Sequence, residues 1–135
     1  MITKILRITL AVRDQEEALQ FYVEKLGFEK RTDRSMGGRR WVTVAPGEDH
    51  NLEIVLQPID WFDGRERDKH AAMLGKNPTI VLQVDDCRET YNSLLKHGVE
   101  FLQPPEERPY GLEALAKDLY GNMLDLLEVP QPIKG

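Results

Sequence analysis

Cysteine is almost missing from this sequence. The one thiol, Cys87, has no intramolecular partner, and with no C-x-x-C pair there is no basis for a zinc ribbon or a dithiol redox centre. That usage suits a reducing cytoplasm, the expected location. Histidine is scarce too: His50, His70 and His97 stand at no spacing that links them as metal ligands, and each is expected at the surface, with His70 the one to watch. No stretch of about 20 apolar residues is present to span a bilayer, and Met1-Ile-Thr-Lys-Ile-Leu-Arg7 lacks the apolar run of a secretory leader. A basic patch is lacking as well. The 18 Lys and Arg are scattered among 23 acids for a net charge of −5, so neither nucleic acid nor an anionic membrane is an expected partner.

What is present is an ordinary globular balance, 41% hydrophobic and 30% charged, in 135 residues, which suits one domain spanning 1–135. The chain also contains itself twice. Ile8-Thr-Leu-Ala-Val-Arg-Asp14 and Ile80-Val-Leu-Gln-Val-Asp-Asp86 lie 72 positions apart with Ile, Leu, Val and Asp in step. Strict alternation makes each a strand. Each runs into Asp-x-x-Glu, Asp14 to Glu17 and Asp86 to Glu89, where the Asp side chain accepts from the first free N–H groups of a helix. Leu19, Tyr22 and Leu26 form the apolar stripe of the first helix; Tyr91, Leu94 and Leu95 form that of the second. Gly27 and Gly98 stand as C-terminal stops.

Three short strands follow each helix: 28–34, 40–44 and 52–57, then 100–103, 112–117 and 123–127. Turn signals at Gly37-Gly38, Pro46-Gly47, Pro104-Pro105 and Tyr120-Gly121-Asn122 separate them. The organisation is α+β, two βαβββ modules forming a curved mixed sheet: module one 1–57, a linker 58–76 with a short helix near Arg65–Leu74, module two 77–128, and a loose tail 129–135.

Alternation also assigns faces. Ile8, Leu10 and Val12, with Ile80, Leu82 and Val84, face the helices; Arg7, Thr9 and Ala11, with Thr79, Val81 and Gln83, face the other way. The last strands divide likewise, Ile54 and Leu56 against Glu53, Val55 and Gln57, and Leu124 and Leu126 against Met123, Asp125 and Leu127. The second face is apolar with a few polar groups, the composition of a ligand cup. Arg7, Glu53, Thr79 and Asp125 are its candidate functional residues: each module contributes two, matched at a separation of 72, and a pseudo-twofold would make them converge. Thr9, Val55 and Val81 join them as ligand-lining positions, with Trp41 as an aromatic wall.

Leu10-Ala-Val-Arg-Asp14, Ala18-Leu-Gln-Phe-Tyr-Val-Glu-Lys-Leu-Gly-Phe28, Leu82-Gln-Val-Asp85, His97-Gly-Val-Glu-Phe101 and Asp118-Leu-Tyr-Gly-Asn122 resemble the vicinal oxygen chelate superfamily of glyoxalases, bleomycin-resistance proteins and ring-cleaving dioxygenases. The resemblance covers essentially the whole chain and departs from the family pattern at Leu119, where a proline is usual. It implies a divalent metal held by a nitrogen ligand and a carboxylate from each module, at the positions of Arg7, Glu53, Thr79 and Asp125. Both carboxylates are kept, one shortened to Asp, and both nitrogen ligands are gone. Arg offers only donors, and a Thr hydroxyl is a poor substitute for imidazole.

No cofactor is therefore expected. Arg7 is expected to occupy the metal's place and bridge Glu53 and Asp125. The resemblance then implies a small-molecule ligand, sequestered as in the drug-binding members, and a homodimer. The other reading is an enzyme, a lyase or dioxygenase of glyoxalase type. There Glu53 is a base and Arg7 an electrophile, or a divalent metal sits in an oxygen-rich site of Glu53, Thr79 and Asp125.

Overall fold

Alternation does make the first strand, and the aspartate beyond it does start a helix. In a computed structural model, which describes residues 1–47 and 52–130, β1 (Arg7–Val12) leads to α1 (Gln15–Leu19), where Asp14 Oδ1 accepts from Glu17 N at 3.0 Å. The helix continues as a π-helical turn, Gln20–Lys25, and stops at Gly27, whose φ of 80° only glycine adopts freely. Then come β2 (Glu29–Met36), β3 (Arg39–Ala45), β4 (Glu53–Pro58), a 3-10 turn (Ile59–Trp61) and α2 (Gly64–Ala71). The second module repeats the pattern with β5 (Ile80–Gln83), α3 (Cys87–Lys96), β6 (Glu100–Arg108), β7 (Gly111–Lys117) and β8 (Met123–Glu128). Asp86 caps α3 through Glu89 N at 3.0 Å, and Gly98, at φ 82°, follows it.

The chain forms two compact units, Met1–Asn77 and Pro78 onward. Each is built on a four-stranded mixed sheet, β1-β4-β3-β2 in the first and β5-β8-β7-β6 in the second. The first and last strands of a module pair in parallel and the others antiparallel. The fold is thus the expected α+β pair of βαβββ modules. In the first sheet α1 packs on β4, and Leu10, Val12, Val42, Val44, Ile54 and Leu56 are buried, as are Ala18, Phe21 and Tyr22 of the helix. Gln15 ties the helix start to the sheet, its Nε2 donating to Arg40 O at 2.8 Å and Leu56 O at 3.2 Å. In the second, α3 packs on β6, β7 and β8, and Ala114, Ala116, Leu124 and Leu126 are buried beside Leu94 and Cys87.

Several expectations are corrected. Pro104-Pro105 is not a turn: β6 runs through it with irregular register between Gln103 and Glu106. The strand lies at the sheet's edge, so one proline turns its missing N–H outward, and the break in register between Gln103 and Glu106 accommodates the other. Thr79 falls just before β5 and is exposed. Leu95 is 44% exposed, the buried side of α3 being Cys87 and Leu94, and Ile8, near the free start of edge strand β1, is 37% exposed. The linker helix is shorter than expected. His50 and residues 131–135 of the expected tail lie outside the described residues.

The turn that aims β8 is held by one side chain. Asp118 Oδ1 accepts from Tyr120 N at 2.9 Å and Asn122 N at 2.8 Å, and Oδ2 accepts from Asn122 Nδ2 at 2.9 Å, with both side chains buried. Asp118→Ala removes the acceptor of all three bonds, and we expect it to cost about 3 kcal/mol in urea unfolding at unchanged m-value.

Candidate functional site

The face of the first sheet that turns away from its helix carries Arg7 and Thr9 on β1, Glu53 and Val55 on β4, and Trp41 and Thr43 on β3. Register brings them level: Arg7 pairs with Glu53, Thr9 with Val55, and Val55 in turn with Thr43. Glu53 is engaged on both oxygens. Thr43 Oγ1 donates to Oε1 at 2.7 Å, and Arg7 Nε stands 3.9 Å from Oε2, a loose ion pair with the guanidinium half exposed. Thr43, buried, is a residue that first- and last-strand reasoning passed over.

Trp41 forms an aromatic wall together with the linker. Its ring centroid lies 5.0 Å from that of Trp61, the Arg39 guanidinium sits over Trp61 at 5.2 Å and over Phe62 at 5.7 Å, and Arg39 Nη2 donates to Trp61 O at 3.1 Å. Phe62 stacks on His70 with centroids 3.8 Å apart and planes 9° from parallel. His70 is half-buried in this series, not simply at the surface, whereas His97 caps α3 and is exposed.

In the second sheet Val81 on β5 pairs with Asp125 on β8, and Asp125 with Leu115 on β7. Diagonal to it on β7 is Glu113, 6% exposed, which the sequence reading missed. Tyr110 Oη donates to Glu113 Oε2 at 2.9 Å and Arg108 Nε to Oε1 at 3.4 Å. Burial, together with the neighbouring Glu113 carboxyl, pushes Asp125 up to about 6. Burial also works to raise Glu113, but the neighbouring Asp125 carboxyl and the hydrogen bonds from Tyr110 and Arg108 outweigh it and hold the group below its ordinary value. What Asp125 faces within its module is therefore a second carboxyl, where the sequence had suggested Arg7.

The ladders also correct an equivalence. Thr9 opposes Val55, and its repeat partner Val81 opposes Asp125, so Asp125 corresponds to Val55, and Glu53 to Met123. The spacing of 72 holds for β1 and β5 and fails for β4 and β8. The β7–β8 connection is two residues shorter than that between β3 and β4, which slides β8 along by one full pleat.

Two sheets of this topology, each pairing its first strand in parallel with its last after one helix, define the class, and the sequence agrees. The chain belongs to the glyoxalase/bleomycin resistance protein/dioxygenase superfamily, whose family profile matches residues 4–126. The crystal structure of UcmS2 is similar at 36% identity and TM-score 0.84, over 95% of this chain and 99% of that one. TnmS3, an antibiotic binding protein from Streptomyces sp. CB03234, is similar at 29% identity and TM-score 0.80, over 96% and 98%. The uncharacterized protein YurT of Bacillus subtilis (strain 168) is 34% identical over 126 residues, 93% of this chain and 98% of YurT.

The residues at the family's metal positions do not fit a divalent ion. Arg7 brings only N–H donors and a positive charge, Thr79 is exposed and outside β5, and the two carboxylates stand at unlike register positions. Among the described residues no three His, Cys, Asp or Glu side chains gather as a ligand set.

Thr43→Val takes the donor from a half-buried carboxylate oxygen of Glu53, and we expect a cost of about 1 kcal/mol. Arg7→Met, which removes a loose and exposed ion pair, is expected to change stability by under about 0.5 kcal/mol. Denaturant midpoints of the two variants check the order; a larger loss for Arg7→Met makes the Arg7–Glu53 pair the main anchor.

Proposed function

We propose that the protein binds a small organic molecule of antibiotic type on the mixed faces of its sheets, without a divalent metal, and acts by sequestration. The observation that carries this is the state of Glu53. Thr43 donates to its Oε1 and the Arg7 guanidinium stands 3.9 Å from its Oε2, so its charge is answered by the protein's own hydroxyl and cation on a wall that is otherwise largely apolar. On the first sheet Trp41, Thr9 and Val55 are the lining we assign, and on the second Val81, with Thr79 and Asp125 as its polar groups. The likeness to the antibiotic binding protein TnmS3 supports the same reading. Sequestration asks only for affinity, and no nucleophile is required of the site.

The proposal extends to assembly and location. The protein pairs with a second copy of itself through the start of the chain. Ile2, Ile5, Leu6 and Ile8 are exposed on and before edge strand β1, an apolar run that a lone chain leaves in water. Cys87, buried and unpaired, is compatible with a reducing cytoplasm. No helix among the described residues is long and apolar enough to cross a membrane.

Two measurements test this. Titrating tryptophan fluorescence with bleomycin and a panel of planar aromatic antibiotics is expected to give saturable quenching by at least one compound, weakened about tenfold or more in Trp41→Ala. Metal analysis of protein purified without a chelating column is expected to find no stoichiometric metal. No saturable binding together with one metal per chain, lost in Glu53→Gln, would replace this reading by a lyase or dioxygenase. For assembly, light scattering is expected to return about twice the 15.5 kDa chain mass, and Ile5→Glu to return the single chain.

A further inference from the structure

The two faces of the β2–β3 hairpin treat their charges differently. On the side turned to α1, Arg40 donates from Nε and Nη2 to the two oxygens of Asp33, each at 2.8 Å, and also pairs with Glu16 of the helix, while Lys30 Nζ donates to Asp33 at 2.9 Å. Both cations there have a carboxylate. On the opposite side Arg39 and Trp41 lie two residues apart on β3, and Arg34 of β2 stands directly across from Trp41 in register. Arg34 and Arg39 are exposed, and neither forms an ion pair among the described residues. In a chain with a net charge of −5, a single aromatic side chain is thus flanked by two guanidiniums whose charge the protein leaves unanswered.

Arg39 is held in place all the same. Its guanidinium lies over the Trp61 ring at 5.2 Å and the Phe62 ring at 5.7 Å, and Nη2 donates to Trp61 O at 3.1 Å. Stacking engages the flat face of the group and that bond takes one of its five N–H donors, so most of the fork has no protein acceptor among the described residues. An arginine fixed by rings on its face gives up little freedom when its edge takes a carboxylate through two parallel hydrogen bonds.

The acids nearby do not supply that carboxylate. Asp60 pairs with Arg67 at 2.8 Å and Glu66 with Lys69 at 3.2 Å, and Glu53, on β4 of the same face, has Thr43 and Arg7. Asp63, next to Phe62, is exposed and forms no ion pair among the described residues. Trp41 itself is half-buried beneath Trp61, their centroids 5.0 Å apart, so part of its ring is open. Residues two apart on a strand are about 7 Å apart at the backbone, the distance from the middle of a fused ring system to a carboxyl group at its edge.

We infer that the module one face takes an aromatic carboxylate, with the ring system against Trp41 and the carboxylate gripped by Arg39, and that Arg34 adds attraction from the neighbouring strand. The inference rests on the ligand-binding reading and gives that ligand a sign of charge: acidic aromatic compounds are favoured on this face and basic ones disfavoured.

Calorimetric titration of the full-length protein at neutral pH with three probes of one shape tests this: anthracenecarboxylate, its neutral carboxamide and the cationic aminomethylanthracene. The carboxylate is expected to bind about tenfold tighter than the carboxamide, and the amine most weakly of the three. Arg39→Gln is expected to bring the carboxylate down to the carboxamide's affinity while the carboxamide stays within about twofold, which also shows that the variant is folded. Arg39→Lys keeps the charge without the fork and is expected to retain only part of the preference. Arg34→Gln is expected to weaken the carboxylate alone, by about threefold, an effect that high salt removes. Three probes that bind the wild type alike, or a carboxylate preference that survives Arg39→Gln, would overturn the inference and leave a ligand-binding protein with no sign preference on this face. Binding of none of the three overturns it as well, and if the antibiotics also fail to bind, the ligand-binding reading falls with it.

Discussion

The parallel pairing of a module's first strand with its last is the contact on which the rest of each unit depends. Parallel neighbours need a long crossover, and here the crossover is a helix and a two-stranded hairpin, which fixes the helix on one face and leaves the other face for function. It also decides which side chains stand level. Arg7 meets Glu53 and Val81 meets Asp125 because of that register alone. A connection two residues longer or shorter moves a carboxylate by one pleat without turning it over, so the two sheets share a topology and differ in the chemistry they present.

Much of the fold was legible because the signals were local. Alternation in 8–12 and 80–83, the Asp-x-x-Glu caps and the glycines at positive φ are each decided within a few residues, and each produced the expected strand, helix start or stop. Pro104-Pro105 misled because a proline pair has the same local look in a turn and on a sheet edge, and edge position is a property of the whole sheet. Leu95 misled because an apolar stripe two residues wide does not say which of them the sheet covers.

The site was legible in part for the same reason. Arg7 and Glu53 do stand together, as two-residue alternation required. Glu113 escaped although Gly111-Leu-Glu-Ala-Leu-Ala-Lys117 alternates clearly and places Glu113, Leu115 and Lys117 on the face of Asp125; the signal lay in a middle strand, and pairing across β7 and β8 was needed to use it. The equivalence of Glu53 and Asp125 failed because a constant spacing in sequence does not guarantee constant register when connection lengths differ. In electrostatic terms the modules differ too. One answers its carboxylate with a hydroxyl and a cation, the other with a second carboxyl.

Pro104 and Pro105 also bear on the company the protein can keep in a crowded cell. β6 is an outer strand of the second sheet, and a strand there with free N–H groups along its length is a template on which a foreign β-segment or another copy can add and begin a fibril. Two consecutive residues without N–H, followed by the charged run Glu106-Glu-Arg108, break that template at its middle and repel a flat partner at its end. The nine-residue strand is long for an edge, and its prolines and charges disarm it.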